Sequence, residues 1–253
     1  MDLEEKIELA AEWIAESNRF VAFTGAGIST HSGLPDYRGP DGVWTRRDKG
    51  LPPPKMKVSW NEVQPNEGHY ALLELMEMGV LDYVISQNVD GLHAKSGIPF
   101  DKLAELHGNQ FFMKCIQCNR KMTFEEAGWD KSKHGPGYRT SPITKDQPDC
   151  PYCGGRLISS IVNFGDPLPQ DELYEAIEQS KKADVFFVIG SSLVVTPAAD
   201  LPGAAQNEGA KLIILNQGET PYDNRADLRF FNDINNVLNP IVEKIKEKIN
   251  QNQ

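Results

Sequence analysis

The sequence predicts an α/β fold: a parallel sheet with helices on both faces, carrying a small cysteine-bearing module. Three observations carry this. Five short runs, "RFVAFTGAG", "DYVISQNVDG", "ISSIVNFGD", "ADVFFVIGSS" and "AKLIILNQG", are apolar and stop at glycine or polar turns, as strands buried on both faces do. Segments with apolar residues at helical spacing lie between most of them, and strands alternating with helices build parallel sheets. From Cys115 to Cys153 the pattern gives way to Lys, Gly, Pro and scattered polar residues, bracketed by two CxxC pairs. At 253 residues the chain is long for one domain and short for two. The expected division is residues 1–112 and 156–253 for the sheet domain, with a loop and helical insertion near 35–68, and 113–155 for the module.

Taken in order, "MDLEEKIELAAEWIAES" is acidic and amphipathic and lacks the features of a signal peptide, so it is read as a helix of the fold. "VAFTGAGIS" is a strand running into Gly25, Ala26 and Gly27, then Ile28, Ser29 and Thr30. Glycines there let the backbone approach a diphosphate, and a following helix would aim free amides at it; a tight turn alone is the simpler alternative. The third glycine and the later acidic residue of a standard dinucleotide fingerprint are absent. In "SGLPDYRGPDGVW", Asp36 and Arg38 bracket Tyr37, either as a ligand loop or as a surface loop with an internal ion pair. "LPPPK" reads as a stiff connector. Leu72, Leu73, Leu75 and Met76 follow Pro65 and Asn66 as a helix, and Leu173 and Ile177 mark another before Lys181 and Lys182. "SQNVDGLH" sets Gln87, Asn88 and Asp90 at a strand end, where they suit a carboxamide or ribose, or cap the next helix. With Phe164 to Asp166, Gly190 to Leu193 and Asn216, five such ends converge on the rim where open α/β sheets bind ligands.

Cys115, Cys118, Cys150 and Cys153 form two CxxC pairs. Four thiolates suit a closed tetrahedral zinc site with no position for water, hence a structural ion. The span between the pairs exceeds the roughly 15 to 20 residues of common zinc ribbons, so a loop is expected around "KHGPGYRTSPITKDQPD" with His134 exposed in it. In "LAELHGNQFFMKCIQC", His107 lies close enough to the first pair to be a ligand, a structural residue or separate chemistry. The net charge is −10 and no long basic run occurs, which opposes direct nucleic-acid binding. Nothing approaches the ~20 apolar residues of a membrane span.

Together "GAGIST", "GLPDYR", "SQNVDGLH", "LHGN", the paired CxxC and "GSSLVVTPA" resemble the sirtuins, NAD-dependent protein lysine deacylases, from about Phe20 to Asp233. "YRGPDGVWTRRDKGL", "DKLAELHGN" and "DNRADLRF" are most similar to the branch containing the vertebrate nuclear chromatin-associated sirtuins. The basic tail of those members has no counterpart in "IVEKIKEKINQNQ", so a cytoplasmic protein is expected. The resemblance implies a Rossmann-like NAD domain with a zinc module, and acylated-lysine proteins or peptides as partners. It implies His107 as the base, acting with Asn88 and Asp90 at the nicotinamide end. It assigns Gly25, Ala26, Gly27, Ser29, Thr30, Asp36, Tyr37, Arg38, Trp44 and Gln87 to the cofactor, with Gly190, Ser191 and Ser192 at phosphate or the adenosine ribose, Asn216 at the adenosine ribose and the backbone near Ile234 at the adenine. The peptide would add as a strand beside Phe164, Gly165 and Val194. NAD would be consumed, giving nicotinamide, O-acyl-ADP-ribose and free lysine. A protein mono-ADP-ribosyltransferase using the same site, and a non-catalytic nucleotide sensor or scaffold, are the alternatives. Tyr37, Ser191 and Asp166 depart from the family's commoner Phe, Thr and Glu. Acetyl and long fatty acyl groups are both open.

Overall fold

The computed structural model describes residues 1–56, 58–60 and 62–251; the expected insertion near 35–68 includes positions 57 and 61, which lie outside them. The N-terminal helix α1 (Leu3–Glu16) starts at a capping box, the Asp2 carboxylate accepting the Glu5 amide and the Glu5 carboxylate accepting the Asp2 amide, both at 2.9 Å. It buries Ile7, Ala10, Ala11 and Ile14. Strand β1 (Phe20–Thr24) is buried at every position and passes into a 3-10 turn over Ala26–Ser32. After the short α2 (Val43–Asp48), helix α3 (Glu67–Glu77) starts at Asn66, whose side chain accepts the Gly68 amide. Then follow β2 (Leu81–Ser86), α4 (Leu92–Ser96) and the three-residue β3 (Leu103–Glu105).

The chain next leaves the main sheet for β4 (Phe112–Cys115), β5 (Lys121–Thr123), α5 (Lys131–His134) and β6 (Leu157–Ser159). It returns through α6 (Gln170–Lys182), β7 (Val185–Ile189), α7 (Leu201–Asn207), β8 (Lys211–Leu215), β9 (Leu228–Phe230) and α8 (Asn235–Gln251).

The main sheet is parallel with order β3-β2-β1-β7-β8-β9, the doubly wound arrangement in which strand order reverses between β1 and β7. Alternation along the strands sends one set of residues to each face. Ala22, Phe187 and Ile213 pack against α1, α3 and α8, while Phe23, Phe186 and Ile214 pack against α6 and α7. Neither face of β1 or β7 meets water, which explains their unbroken apolar runs.

Two expectations need correction. "ISSIVNFGD" does not supply a main-sheet strand: Leu157–Ser159 pairs antiparallel with β4 in the separate sheet β5-β4-β6, and the residues after it form a loop. An apolar run shows that a strand is buried, not which sheet buries it. His134 is half-buried, its Nδ1 2.9 Å from Thr144 Oγ1 and its ring edge-on to Trp129 at 5.4 Å. Among the described residues no helix is long and apolar enough to cross a membrane.

Candidate active site

At the reversal point the ends of β1 and β7 interlock. Gly25 N donates to Ile189 O at 3.0 Å and Gly27 N to Gly190 O at 2.9 Å. A Cβ on Gly25 would lie 2.7 Å from Gly190 O, and one on Gly27 2.7 Å from Gly190 Cα. Gly190 itself has φ +66, where a side chain is strained. Two main-chain segments therefore touch with no side chain between them. This contact, as much as any ligand, demands the glycines. Above it opens a cleft of about 1110 Å³, room enough for a dinucleotide with a second substrate.

Most of the residues assigned to the cofactor line this cleft: Gly25, Ala26, Gly27 and Ser29 after β1, Asp36, Tyr37, Arg38 and Trp44 in the following loop, and Gln87, Asn88, Asp90 and His107 beyond β2 and β3. Gly190, Ser191, Ser192 and Asn216 line it after β7 and β8. Two stand outside the lining. The Thr30 hydroxyl donates to Gly27 O at 2.9 Å, holding the turn. Ile234 is buried in the α8 core, its carbonyl accepting from Val237 and Leu238.

Ser29 is the centre of a buried polar cluster. Its hydroxyl donates to Asp90 Oδ2 at 2.7 Å and accepts from Asn88 Nδ2 at 3.1 Å, with His69 Nε2 3.5 Å away. Asp90 Oδ1 accepts the Leu92 amide at 3.0 Å, the first amide of α4, from the position before the cap residue Gly91. Burial raises the Asp90 carboxyl above its usual range despite these bonds. Beneath lies a second buried imidazole, His93, its Nε2 2.8 Å from Thr24 Oγ1 and its ring 5.0 Å from that of His69. Desolvation pushes His69 well below 6.5 and His93 down to about 4, so both are neutral at pH 7. His69 was not foreseen as part of the site. The signal was its position at N3 of α3, three residues after Asn66, where its Nδ1 accepts the Asn66 amide.

His107 follows β3 in a tight turn. Its Nδ1 lies 2.8 Å from Gln87 O. A carbonyl can only accept, so Nδ1 carries the proton and Nε2 keeps its lone pair. Burial lowers the pKa, keeping the ring neutral, and the side chain lines the cleft. Its neighbour Gln87 donates Nε2–H to Ser191 Oγ at 2.6 Å, joining the ends of β2 and β7. The histidine is thus set up as a proton acceptor, separate from the cysteines.

The loop after the glycine turn folds around Asp36, whose carboxylate accepts the Gly39 amide at 3.0 Å and is raised in pKa by burial. Arg38 stacks over Trp44 at 4.7 Å, and Trp44 lies between Tyr37 at 4.9 Å and Phe164 at 5.6 Å. Phe164 is 80% exposed and occupies a turn closed by Asp166, whose carboxylate accepts the Asn163 amide at 3.1 Å. Phe164, Gly165 and Val194 lie along the cleft. At the opposite end, Arg229 donates to Asn216 O at 2.7 Å and to Gly218 O at 2.5 Å and pairs with Asp223, fixing the loop after β8.

The four cysteine Sγ atoms lie within 4.8 Å of one another, with Cys115 to Cys153 at 3.5 Å and Cys118 to Cys150 at 3.8 Å. Tetrahedral Zn–S bonds of about 2.3 Å separate sulfurs by roughly 3.8 Å, so this set fits a structural zinc. Each pair sits in a turn, Asn119 N donating to Cys115 O at 3.0 Å and Gly154 N to Cys150 O at 2.9 Å.

A family model described as the Sir2 family matches residues 54–197. NAD-dependent protein deacylase 2 of Archaeoglobus fulgidus is 38% identical over 260 residues, covering 96% of this chain and 98% of that one. The chain belongs to the Sir2 family. This sirtuin is also 38% identical to NAD-dependent protein deacetylase SRT1 of Arabidopsis thaliana over 98% of its own length, but spans only 50% of that protein. A solved complex of Sir2, a p53 peptide and NAD+ matches it with a TM-score of 0.72 at 35% identity, covering 98% of this chain and 100% of that one. Sir2Af2 bound to a myristoylated histone peptide matches with a TM-score of 0.68 at 36% identity, covering 98% and 99%.

Proposed function

We propose that this protein is an NAD-dependent protein lysine deacylase with His107 as its general base. The observation that carries the proposal is a neutral imidazole in the cleft, held by Gln87 O in the tautomer that leaves Nε2 free. Bound NAD supplies an electrophilic ribose carbon with nicotinamide as leaving group, and its ribose takes up the acyl group. His107 Nε2 would accept a proton from a ribose hydroxyl, so that its oxygen can attack the acyl carbon; one water is consumed as the acyl–nitrogen bond breaks and lysine leaves as the free amine. Asn88 and Asp90, held by Ser29, present an amide and a carboxyl group suited to a carboxamide. The interlocked glycines bring main chain to the floor of the cleft where a diphosphate would lie, and Ser191, Ser192 and Asn216 face the adenosine half. Phe164, Gly165 and Val194 offer an edge along which an extended peptide can bind through its main chain.

Incubation with NAD and an acetyl-lysine peptide is expected to release nicotinamide and free lysine in equal amounts, with O-acetyl-ADP-ribose as the third product by mass spectrometry. ADP-ribose on protein without loss of the acyl group would instead support the transferase reading. The cleft lining also includes the apolar side chains of Leu34, Val43, Met56 and Trp60, which supports long fatty acyl groups as substrates beside acetyl. Comparing kcat/KM for acetyl and myristoyl peptides of one sequence tests this, and no turnover of the myristoyl peptide would remove it.

A further inference from the structure

We propose that Glu105 is a positioning residue for the His107 base, and that Lys121 of the zinc module holds Glu105 in place. The inference rests on the deacylase reading. His107 stands in a turn bounded by Glu105 and Asn109, and one side-chain bond spans it: Asn109 Nδ2 donates to Glu105 Oε1 at 2.6 Å. Main-chain bonds complete the turn, with Gly108 N donating to Glu105 O and Val162 N to His107 O, both at 2.9 Å. Asn109 is fixed from its other side, its amide donating to Ser160 Oγ at 3.1 Å and its Oδ1 accepting the Phe111 amide at 3.0 Å. The bond across the turn therefore joins two anchored points, and the base lies between them.

Glu105 is an expensive residue to keep there. Its side chain is 3% exposed, and Oε2 is buried without a hydrogen-bond partner. Burial pushes its carboxyl up to about 7, with Lys121 acting in the opposite sense. Lys121 Nζ lies 3.7 Å from Oε2 and is hydrogen-bonded to Glu172, whose other oxygen accepts the Glu105 amide at 2.8 Å. Lys121 stands on β5, so a single ammonium from the zinc module serves two carboxylates, one on β3 and one on α6. Removing the carboxylate alone would leave the Asn109 amide and the Lys121 ammonium without a shared partner. Glu105 is therefore the group that ties the turn around the base to the small module. The chain thus couples the small module to the turn that carries the proton acceptor.

The test separates the two halves of the reaction. Exchange of labelled nicotinamide into NAD, with acyl peptide present, reports nicotinamide cleavage; free lysine reports acyl transfer, where the base acts. Wild type must show both, and absence of both would remove the deacylase reading itself. Given wild-type activity, Glu105→Ala is expected to lower acyl transfer by about tenfold or more while exchange stays within about twofold. Glu105→Gln, which keeps an acceptor for Asn109, should recover most of the loss. If Glu105→Ala does not fold, Asn109→Asp opposes the same bond from the other end while keeping the acceptor for Phe111, and should show the same split. Unchanged acyl transfer, or equal losses of exchange and transfer in the folded variant, overturns the inference. Lys121→Met should reproduce the split more weakly, with Glu105→Gln in the same chain restoring activity; a Lys121→Met protein with wild-type acyl transfer removes the module's part.

Discussion

His107 illustrates how far one side chain is defined by its surroundings. The Gln87 carbonyl sets its tautomer and burial sets its charge. Replacing it with alanine should lower acyl transfer roughly 10²- to 10⁴-fold. The melting temperature should barely move, since one hydrogen bond contributes only about 1 kcal/mol. Rate and thermal unfolding measured on the same preparation check this, and a fully active variant would overturn the assignment. The base must be neutral to act, and its pKa in the fold is below 6.5. The kcat/KM profile should therefore rise with pH and level off along an acid limb whose midpoint lies below that value. A midpoint at or above 7 would place the limiting proton elsewhere. The "LHGN" motif marked this residue in the sequence; its tautomer came from a partner twenty positions away. Asp90 is likewise defined by its neighbours, one oxygen accepting the Leu92 amide at the start of α4 and the other the Ser29 hydroxyl.

Among the elements, the junction of β1 and β7 lies at the cleft, lined by Gly25, Gly27 and Gly190, whereas the cysteine-bearing strands stand outside its lining. Gly27→Ala would press a methyl group against Gly190 Cα. Backbone cannot move aside as a side-chain tip can, so a loss of about 1–3 kcal/mol is expected, typical of overpacking, together with a raised KM for NAD. Denaturant unfolding and NAD titration check the two effects, and a variant equal to wild type in both would contradict the interlock. The zinc module has a small core of Met113, Met122, Trp129 and Leu157, too small to hold a domain of that size alone. Metal removal by chelation should lower the melting temperature and abolish activity. A stoichiometrically demetallated protein of unaltered thermal stability would defeat the structural role. Longer elements were legible because burial on both faces leaves an apolar run. β3 and β9 were not, because three residues carry no measurable period, and their pairing of Val84 with Leu103 and Ile213 with Leu228 is non-local.

For the whole molecule, buried titratable groups pull stability in opposite directions with pH. His69, His93 and His107 have lower pKa values folded than unfolded, so below 6.5 the unfolded chain binds more protons and stability falls as pH falls, for His93 down to about 4. Glu105 acts in reverse: raised from 4.5 to about 7, it binds its proton more tightly when folded and loses stability as pH rises through that window. Asp36 and Asp90, also raised by burial, act with Glu105, but the strong depression of His69 and His93 predicts a melting temperature that falls on acidification from pH 6.5 toward 4. Calorimetry across that range checks it, and a rise would mean that the carboxyls dominate. By itself the sequence determined the alternation of strands and helices, the glycine turn, the four thiolates and the motifs that carry the family, since each is written in neighbouring residues or fixed spacings. Only the tertiary structure decided that Leu157–Ser159 joins the small sheet, that Gly25 and Gly27 meet Gly190, that His69 approaches Ser29, and that Lys121 reaches Glu105. Those outcomes depend on close contacts between residues distant in the chain, and burial gives such contacts their strength.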